Sequence, residues 1–269
     1  MDLSESMQEP LPDSLIQLSK SWQKWSPRKK TALNDRVVEK YIHCGGLPGL
    51  FALRDKSLFS QKMATQLETI LERDLRLLVN TSLSFQSLKG LLMYVAMHQH
   101  EPFELSDAAR ATRISRPTIV KIMRAFEALF LIRMIPCEGS ARKPTYVMED
   151  QGEATFLIGN RTDPLFDLTR FLYANLRCQT HYRPELNVEL FQYRTRSGVN
   201  VPICFRFAAG ELGILPILED YPSPQAVGAA QSFLKSHPKA KIIYATLGKN
   251  FAHLSPRSSV IPALAIVNG

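Results

Sequence analysis

A concentration of basic side chains marks the segment between residues 110 and 143. This segment contains eight basic residues and two acidic ones, so its local net charge is +6. The basic residues are Arg110, Arg113, Arg116, Lys121, Arg124, Arg133, Arg142 and Lys143, and the acidic ones are Glu127 and Glu138. Because guanidinium and ammonium groups neutralise phosphates, such a cluster is the electrostatic footprint of a nucleic-acid-binding surface.

Two short helices joined by a tight turn are predicted to position these charges. Ser106 is a predicted cap for the first helix, residues 113–115 form the turn, and Ser115 is a predicted cap for the second helix, whose early Pro117 needs no N–H partner. One arc of the second helix is apolar and comprises Ile119, Ile122, Met123, Phe126, Leu129 and Phe130. The residues outside this arc are Arg116, Thr118, Lys121 and Arg124. This pattern is typical of a helix-turn-helix, whose second helix offers its polar face to the major groove.

The chain after the second helix has the pattern of a hairpin, which would be the wing of a winged helix. Residues 131–135 and 145–148 are predicted strands, joined by a basic loop. We predict that Arg116 and Lys121 reach base edges, whereas Arg142 and Lys143 in the wing reach phosphates. Ser115, Thr118 and Arg124 complete the candidate nucleic-acid site. Because winged helices also serve as protein–protein modules, a protein partner remains an alternative.

The chain lacks the sequence motifs of common nucleotide-binding and hydrolytic sites. It contains no G-x-x-x-x-G-K-[ST] loop, no G-x-G-x-x-G and no G-x-S-x-G. The Gly-rich segment 45–49 lacks a following Lys and Ser or Thr, so we interpret it as a turn. The four cysteines and six histidines are dispersed, without the spacing of a zinc site. We therefore expect that the chain does not hydrolyse ATP by itself, is not an enzyme and has no cofactor, and that its Cys and His residues do not bind a metal.

The composition is that of a folded globular protein. The 269 residues carry a net charge of +8, and 45% are hydrophobic and 22% charged, which excludes a disordered tail, a collagen-like fibre and a simple coiled coil. No apolar run reaches the roughly 20 residues that span a bilayer, and the N-terminal segment lacks the order of a signal peptide. We expect a cytoplasmic protein that does not associate with membranes.

Hydrophobic periodicity predicts an α+β fold in three parts. A lead-in segment covers residues 1–40, a helical and winged-helix domain covers residues 41–155, and a mixed α/β domain covers residues 156–269. Other predicted helices cover residues 13–25, 35–43, 56–79, 84–99, 164–178 and 224–235. Predicted strands of the last domain cover residues 188–193, 201–207, 214–218, 241–245 and 260–267.

Four short strings along the chain resemble one family. They are YIHCGGLP at 41–48, ILERDL at 70–75, ISRPTI at 114–119, and KP at 143–144 followed by D-x-G at 150–152, where Thr145 replaces a usual Lys. In this order they resemble the C-terminal half of a bacterial and archaeal group of AAA-type ATPases. The resemblance implies a winged helix followed by a restriction-endonuclease-like domain, without the ATP-binding half. Leu3-Ser4-Glu5 resembles the tail of that half, which implies a truncated relative or a fragment of a longer chain.

The endonuclease-like domain that this resemblance implies is predicted to be inactive. The family pattern has an Asp on one strand and Glu-x-Lys on the next, which together would hold a metal ion. The corresponding residues of this chain are Pro202, Leu218 and Asp220. Asp167 keeps the charge type of a helical Glu, and a register slip of one residue would turn Glu219 inward. Metal binding by these remaining carboxylates is left open by the sequence.

The sequence favours a non-enzymatic DNA-binding or regulatory module whose partner is duplex DNA. The alternative is a protein-interaction scaffold that docks a P-loop ATPase half or another partner. A metal-dependent nuclease is the third hypothesis. Neither the preferred DNA sequence nor the oligomeric state follows from the residues.

Overall fold

The computed structural model describes residues 2–7, 13–20, 35–159 and 163–268, and its fold is α+β, as predicted. The helices are α1 (Leu3–Ser6), α2 (Ser14–Lys20), α3 (Asp35–Cys44), α4 (Lys56–Thr69), α5 (Leu75–Leu78), α6 (Phe85–Met97), α7 (Leu105–Thr112), α8 (Arg116–Ala128), α9 (Gln151–Ile158), α10 (Pro164–His181), α11 (Pro224–Ser236) and α12 (Ala263–Asn268). The strands are β1 (Ile132–Ile135), β2 (Cys137–Glu138), β3 (Thr145–Met148), β4 (Glu189–Arg194), β5 (Asn200–Phe207), β6 (Gly210–Ile217), β7 (Lys241–Thr246), β8 (Ala252–Ser255) and β9 (Ser258–Pro262).

The chain divides into two compact units at boundaries that differ from the predicted ones. The helical unit contains Lys40–Ile135 and the described residues of Lys143–Arg161. The sheet unit contains Pro136–Arg142 together with the described residues among Met1–Glu39 and Thr162–Gly269. Two of these boundaries lie within one and six residues of those predicted at 40 and 155. The described lead-in residues, however, are part of the sheet unit, and so is the loop inside the predicted wing.

The lead-in helices belong to the sheet unit because they pack on its helices α10 and α12. The backbone N–H of Leu3 donates to the side-chain oxygen of Asn175 at 2.7 Å, and that of Leu15 donates to Gln179 at 3.2 Å. Leu3, Leu15 and Leu18 are all buried. The predicted helix at 13–25 is seen as α2, and its later residues lie outside the described ranges.

The helical unit has a core built from leucine-rich helices. α4 runs through a π-helical turn at Ile70–Asp74 into α5, so the helix predicted over 56–79 is confirmed with a local change of hydrogen bonding. α6 begins after Ser84, whose hydroxyl caps it. The main core residues of these helices, all fully buried, are Met63, Leu67, Leu71, Leu75, Leu88, Leu91 and Leu92. α9 packs on this core and was not predicted.

The predicted helix, turn, second helix and hairpin are all present in the helical unit as α7, α8 and the antiparallel pair β1–β3. In the hairpin, Ile132 is opposite Met148 and Ile135 is opposite Thr145. Ser106 lies inside α7 and does not cap it, because the helix starts one residue earlier. Phe130 leaves the predicted apolar arc, since α8 ends before it and its backbone turns left-handed at φ 55°, which exposes the ring.

The sheet unit is built on a seven-stranded mixed sheet in the order β2-β4-β5-β6-β7-β9-β8. β4, β5 and β6 are antiparallel, whereas β6, β7 and β9 are parallel. Aromatic residues of β4 and of α11 fill much of its core, among them Phe191, Tyr193 and Phe233. The strand predicted over 260–267 ends at Pro262 and continues as α12, so its second half is corrected to helix.

No helix within the described ranges is both long and apolar enough to cross a bilayer.

Strand β5 contains a bulge where it pairs with β4. Phe191 lies opposite Cys204 and Tyr193 opposite Val201, so β5 carries one extra residue between these pairs. The buried Pro202 lies at this bulge, which is one of the positions where sheets accommodate proline.

Candidate nucleic-acid interface

The turn between α7 and α8 sets the direction of the candidate recognition helix. Arg113 ends α7 in the left-handed conformation with φ 57°, and the buried Ile114 anchors the turn in the core. The Ser115 hydroxyl accepts the Thr118 backbone N–H at 3.4 Å, and the two hydroxyls lie 2.7 Å apart. Pro117 stands in the first turn, as predicted. Ser115 and Thr118 therefore hold the start of α8.

The buried face of α8 confirms the predicted apolar arc except at its end. Ile119, Ile122, Met123 and Phe126 are buried in the core of the helical unit. This packing turns the opposite face to solvent. The exposed residues of α8 are Arg116, Pro117, Val120, Lys121, Arg124 and Ala128. Val120 was not singled out from the sequence, although the same helical projection places it among the polar residues.

The cations on the exposed face of α8 are available to a ligand. Arg116, Lys121 and Arg124 form no ion pair or side-chain hydrogen bond with any residue that the structure describes. Glu127 is the single carboxylate of α8, and it accepts the backbone N–H of Met134 at 2.9 Å. The acidic group of the helix is therefore directed to the hairpin. The charged side chains that the first three turns of α8 expose are all positive.

Of the eight basic residues in segment 110–143, three form ion pairs with carboxylates inside the helical unit. Arg110 lies 3.4 Å from Asp107, and Arg133 lies 2.7 Å from Glu149. Lys143, predicted to reach a phosphate, forms an ion pair with Glu104. Each ion pair neutralises a positive charge that would otherwise attract a polyanion such as DNA. The local charge of +6 therefore overstates the free positive charge of segment 110–143. Among the described residues of this segment in the helical unit, Arg113 and the three α8 cations have no carboxylate partner.

The loop that carries Arg142 belongs to the sheet unit, whereas α8 belongs to the helical unit. Cys137 and Glu138 form β2, which pairs with β4 in the large sheet. The Ala141 N–H then donates to the Arg194 carbonyl at 3.2 Å, and the Arg142 Nε donates to the Gly139 carbonyl at 3.3 Å. The predicted free wing tip is thus corrected to an anchored loop, because its backbone completes the edge of the sheet.

The Gly-rich turn at 45–49 is confirmed, and its partner is the start of α9. The Asp150 carboxylate accepts the Gly46 N–H at 2.8 Å and the Glu153 N–H at 3.0 Å. Gly45 has φ 69°, and a Cβ built on it would lie 2.1 Å from Asp150. The GG and D-x-G strings singled out in the sequence therefore contact each other, and this contact is structural.

Glu153 is a buried carboxyl beside this turn. It is 3% exposed, and its Oε1 accepts the Gln66 side chain at 3.4 Å. The pKa of Glu153 is raised from 4.5 to about 8. The main cause is burial, and the negative charges of Asp150 and Glu149 contribute further. The folded protein therefore retains a proton at neutral pH that the unfolded chain has released.

Stability is expected to fall as the pH rises because of this carboxyl. Below about pH 4.5, Glu153 is protonated in the folded and the unfolded state, and its full stabilising contribution is present. Between about pH 4.5 and pH 8, the free energy of unfolding is expected to fall by about 1 kcal/mol per pH unit. Urea unfolding of the wild type and of Glu153→Gln at several pH values measures this slope, and the variant should lose the part that Glu153 contributes. Burial also raises the pKa of Asp150, which contributes a slope of the same sign in both proteins. Glu68→Gln, at an exposed position of α4, is the control. Equal slopes in wild type and Glu153→Gln would contradict the assignment.

The carboxylates left open as metal ligands are not brought together. Asp167 forms an ion pair with Arg170 at 2.8 Å in α10. Glu219 and Asp220 follow the end of β6 and are exposed, so the inward position considered for Glu219 is corrected. Within the described ranges no three His, Cys, Asp or Glu side chains form a group that could hold a metal ion.

Part of the chain matches a family model. Residues 35–149 match the model of a family described as Domain of unknown function (DUF8612). The match spans α3 to β3, which includes the helix-turn-helix and the hairpin, and covers less than half of the chain. No curated protein and no solved structure matches the chain. Since none of these findings concerns AAA-type ATPases, that resemblance stays a prediction.

Proposed function

We propose that the helical unit binds duplex DNA through the exposed face of α8, and that the protein is a non-enzymatic DNA-binding or regulatory module. The observation that carries this proposal is a set of three cations on one face of a helix that follows a tight turn. These cations, Arg116, Lys121 and Arg124, have no ion-pair partner among the described residues. Phosphates are the ligand that such a face favours, and α8 is preceded by the helix and turn that seat a recognition helix in the major groove.

The positions of the charges suggest how contacts are shared along α8. Arg116 and Lys121 lie in its first two turns, the part of a recognition helix that reaches base edges. Arg124 is one turn further along, and Arg113 lies in the preceding turn, where side chains meet the sugar-phosphate backbone. Four cations therefore contribute to affinity in this proposal.

Binding of a labelled duplex is expected to be strongly sensitive to salt. Four cations brought to the duplex predict a loss of affinity of about 100-fold between roughly 50 and 200 mM salt, because each displaces about one condensed counterion whether it contacts a base edge or a phosphate. Fluorescence anisotropy at the two salt concentrations measures it. Binding that does not change with salt, or no binding at the lower concentration, would contradict the proposal.

A protein-interaction scaffold is the second candidate, and one observation favours it. Phe130 is 72% exposed and Met134 is 45% exposed, so two large apolar side chains lie on the surface just after α8. This candidate would be supported instead if the protein does not bind DNA and a pull-down without DNA recovers a P-loop ATPase.

The non-enzymatic part of the proposal is supported by the dispersed carboxylates of the sheet unit. Pro202 replaces the acidic residue expected on a nuclease strand, and it lies at a strand bulge. Nicking of plasmid DNA by the pure protein with magnesium or manganese would contradict this part.

The cytoplasmic location expected from the sequence is retained in the proposal and would be checked by cell fractionation.

A further inference from the structure

Val120 occupies the middle of the cationic face of α8. With Arg116 as origin and about 100° per residue, Val120 lies at about 40° and Arg124 at about 80°. Its side chain is 39% exposed, whereas the other branched or large apolar residues of α8 are buried. An apolar side chain is thus presented to solvent between Arg116 and Arg124.

The packing of the helical unit does not require a valine at this position. Val120 belongs to neither buried core cluster, and β-branched residues are poorer helix formers than the Ala, Lys or Glu that suit an exposed position. Pro117, also exposed, lies at about 100° and extends the apolar surface on the same face. A ligand that is both anionic and locally apolar matches this arrangement.

The major groove of DNA offers one apolar group among its polar base edges, the 5-methyl group of thymine. The arginines beside Val120 would engage phosphates or base edges while the valine methyls meet this group. We propose that Val120 contacts the thymine 5-methyl group, which makes α8 a reader of thymine-containing duplexes. This inference rests on the proposed function and adds a specificity-determining residue to it.

Duplexes that differ in the 5-methyl group alone test the inference. Anisotropy compares an alternating dA-dT duplex with an alternating dA-dU duplex of equal length, so thymine is present in every register. We expect the wild type to bind the thymine duplex about fourfold more tightly, the effect of burying one methyl group. Val120→Ala should bind both duplexes equally and retain its salt sensitivity.

A matched control separates this contact from general effects. Met93→Ala removes an apolar side chain of the same 39% exposure from α6 and should leave the thymine preference unchanged. Equal binding of the two duplexes by the wild type would overturn the inference alone. A preference that persists in Val120→Ala would also overturn it and would assign the discrimination to DNA shape. Absence of salt-sensitive binding to either duplex would instead overturn the proposed function.

Discussion

The double variant Arg116→Ala, Lys121→Ala is expected to bind duplex DNA about 100-fold more weakly than the wild type at low salt. Each of these contacts contributes about 1–3 kcal/mol when made to a base or phosphate, and their losses add for well-separated groups. The dependence of log affinity on log salt should also become shallower by about two counterions, because the variant no longer brings these two cations to the duplex. Anisotropy titrations at several salt concentrations give both quantities. Both side chains are exposed and alanine favours helix, so the fold should be retained.

The control for this variant removes the same number of charges from residues that are already paired. Arg110→Ala combined with Lys143→Ala changes the net charge equally, but these residues form ion pairs with Asp107 and Glu104. We expect a loss of less than about threefold, because exposed pairs offer less free charge to a phosphate. An equal loss in both double variants would show that total charge alone governs binding, which would contradict the assigned interface.

Substitution of Gly152 by alanine is expected to destabilise the helical unit by about 3 kcal/mol or more, because overpacking forces a backbone shift. A Cβ at this position would lie 2.2 Å from the carbonyl oxygen of Cys44 and 2.8 Å from the Gly45 nitrogen, so it meets backbone that has no rotamer with which to yield. Circular dichroism during urea unfolding measures the change in the free energy of unfolding.

Gly90→Ala is the matched control and has the opposite expected sign. Gly90 lies inside α6, and an added Cβ there meets nothing within 4 Å. The substitution should stabilise the protein by up to about 1 kcal/mol, because alanine favours helix over glycine. Equal stabilities of Gly152→Ala and the wild type would contradict the close approach of the turn to α9.

Local sequence signals were sufficient to predict the candidate interface helix. The Ser115 cap, the early Pro117 and the apolar arc that begins at Ile119 act within a few residues of one another, and the structure confirms all three. The hairpin strands and most strands of the sheet unit were predicted for the same reason, since their apolar runs end at nearby turn residues. The strand predicted past Pro262 was wrong, because a short apolar run fits strand and helix equally.

Only the tertiary structure decided which basic residues are free and where the wing loop lies. Lys143 pairs with Glu104, 39 residues away, and the loop of Arg142 is held by Arg194, so neither partner is visible in a local window. Periodicity and capping depend on neighbours within one or two helical turns and are therefore written in the sequence itself. Ion pairs and strand-edge contacts depend on residues that are distant along the chain, so folding alone determines them.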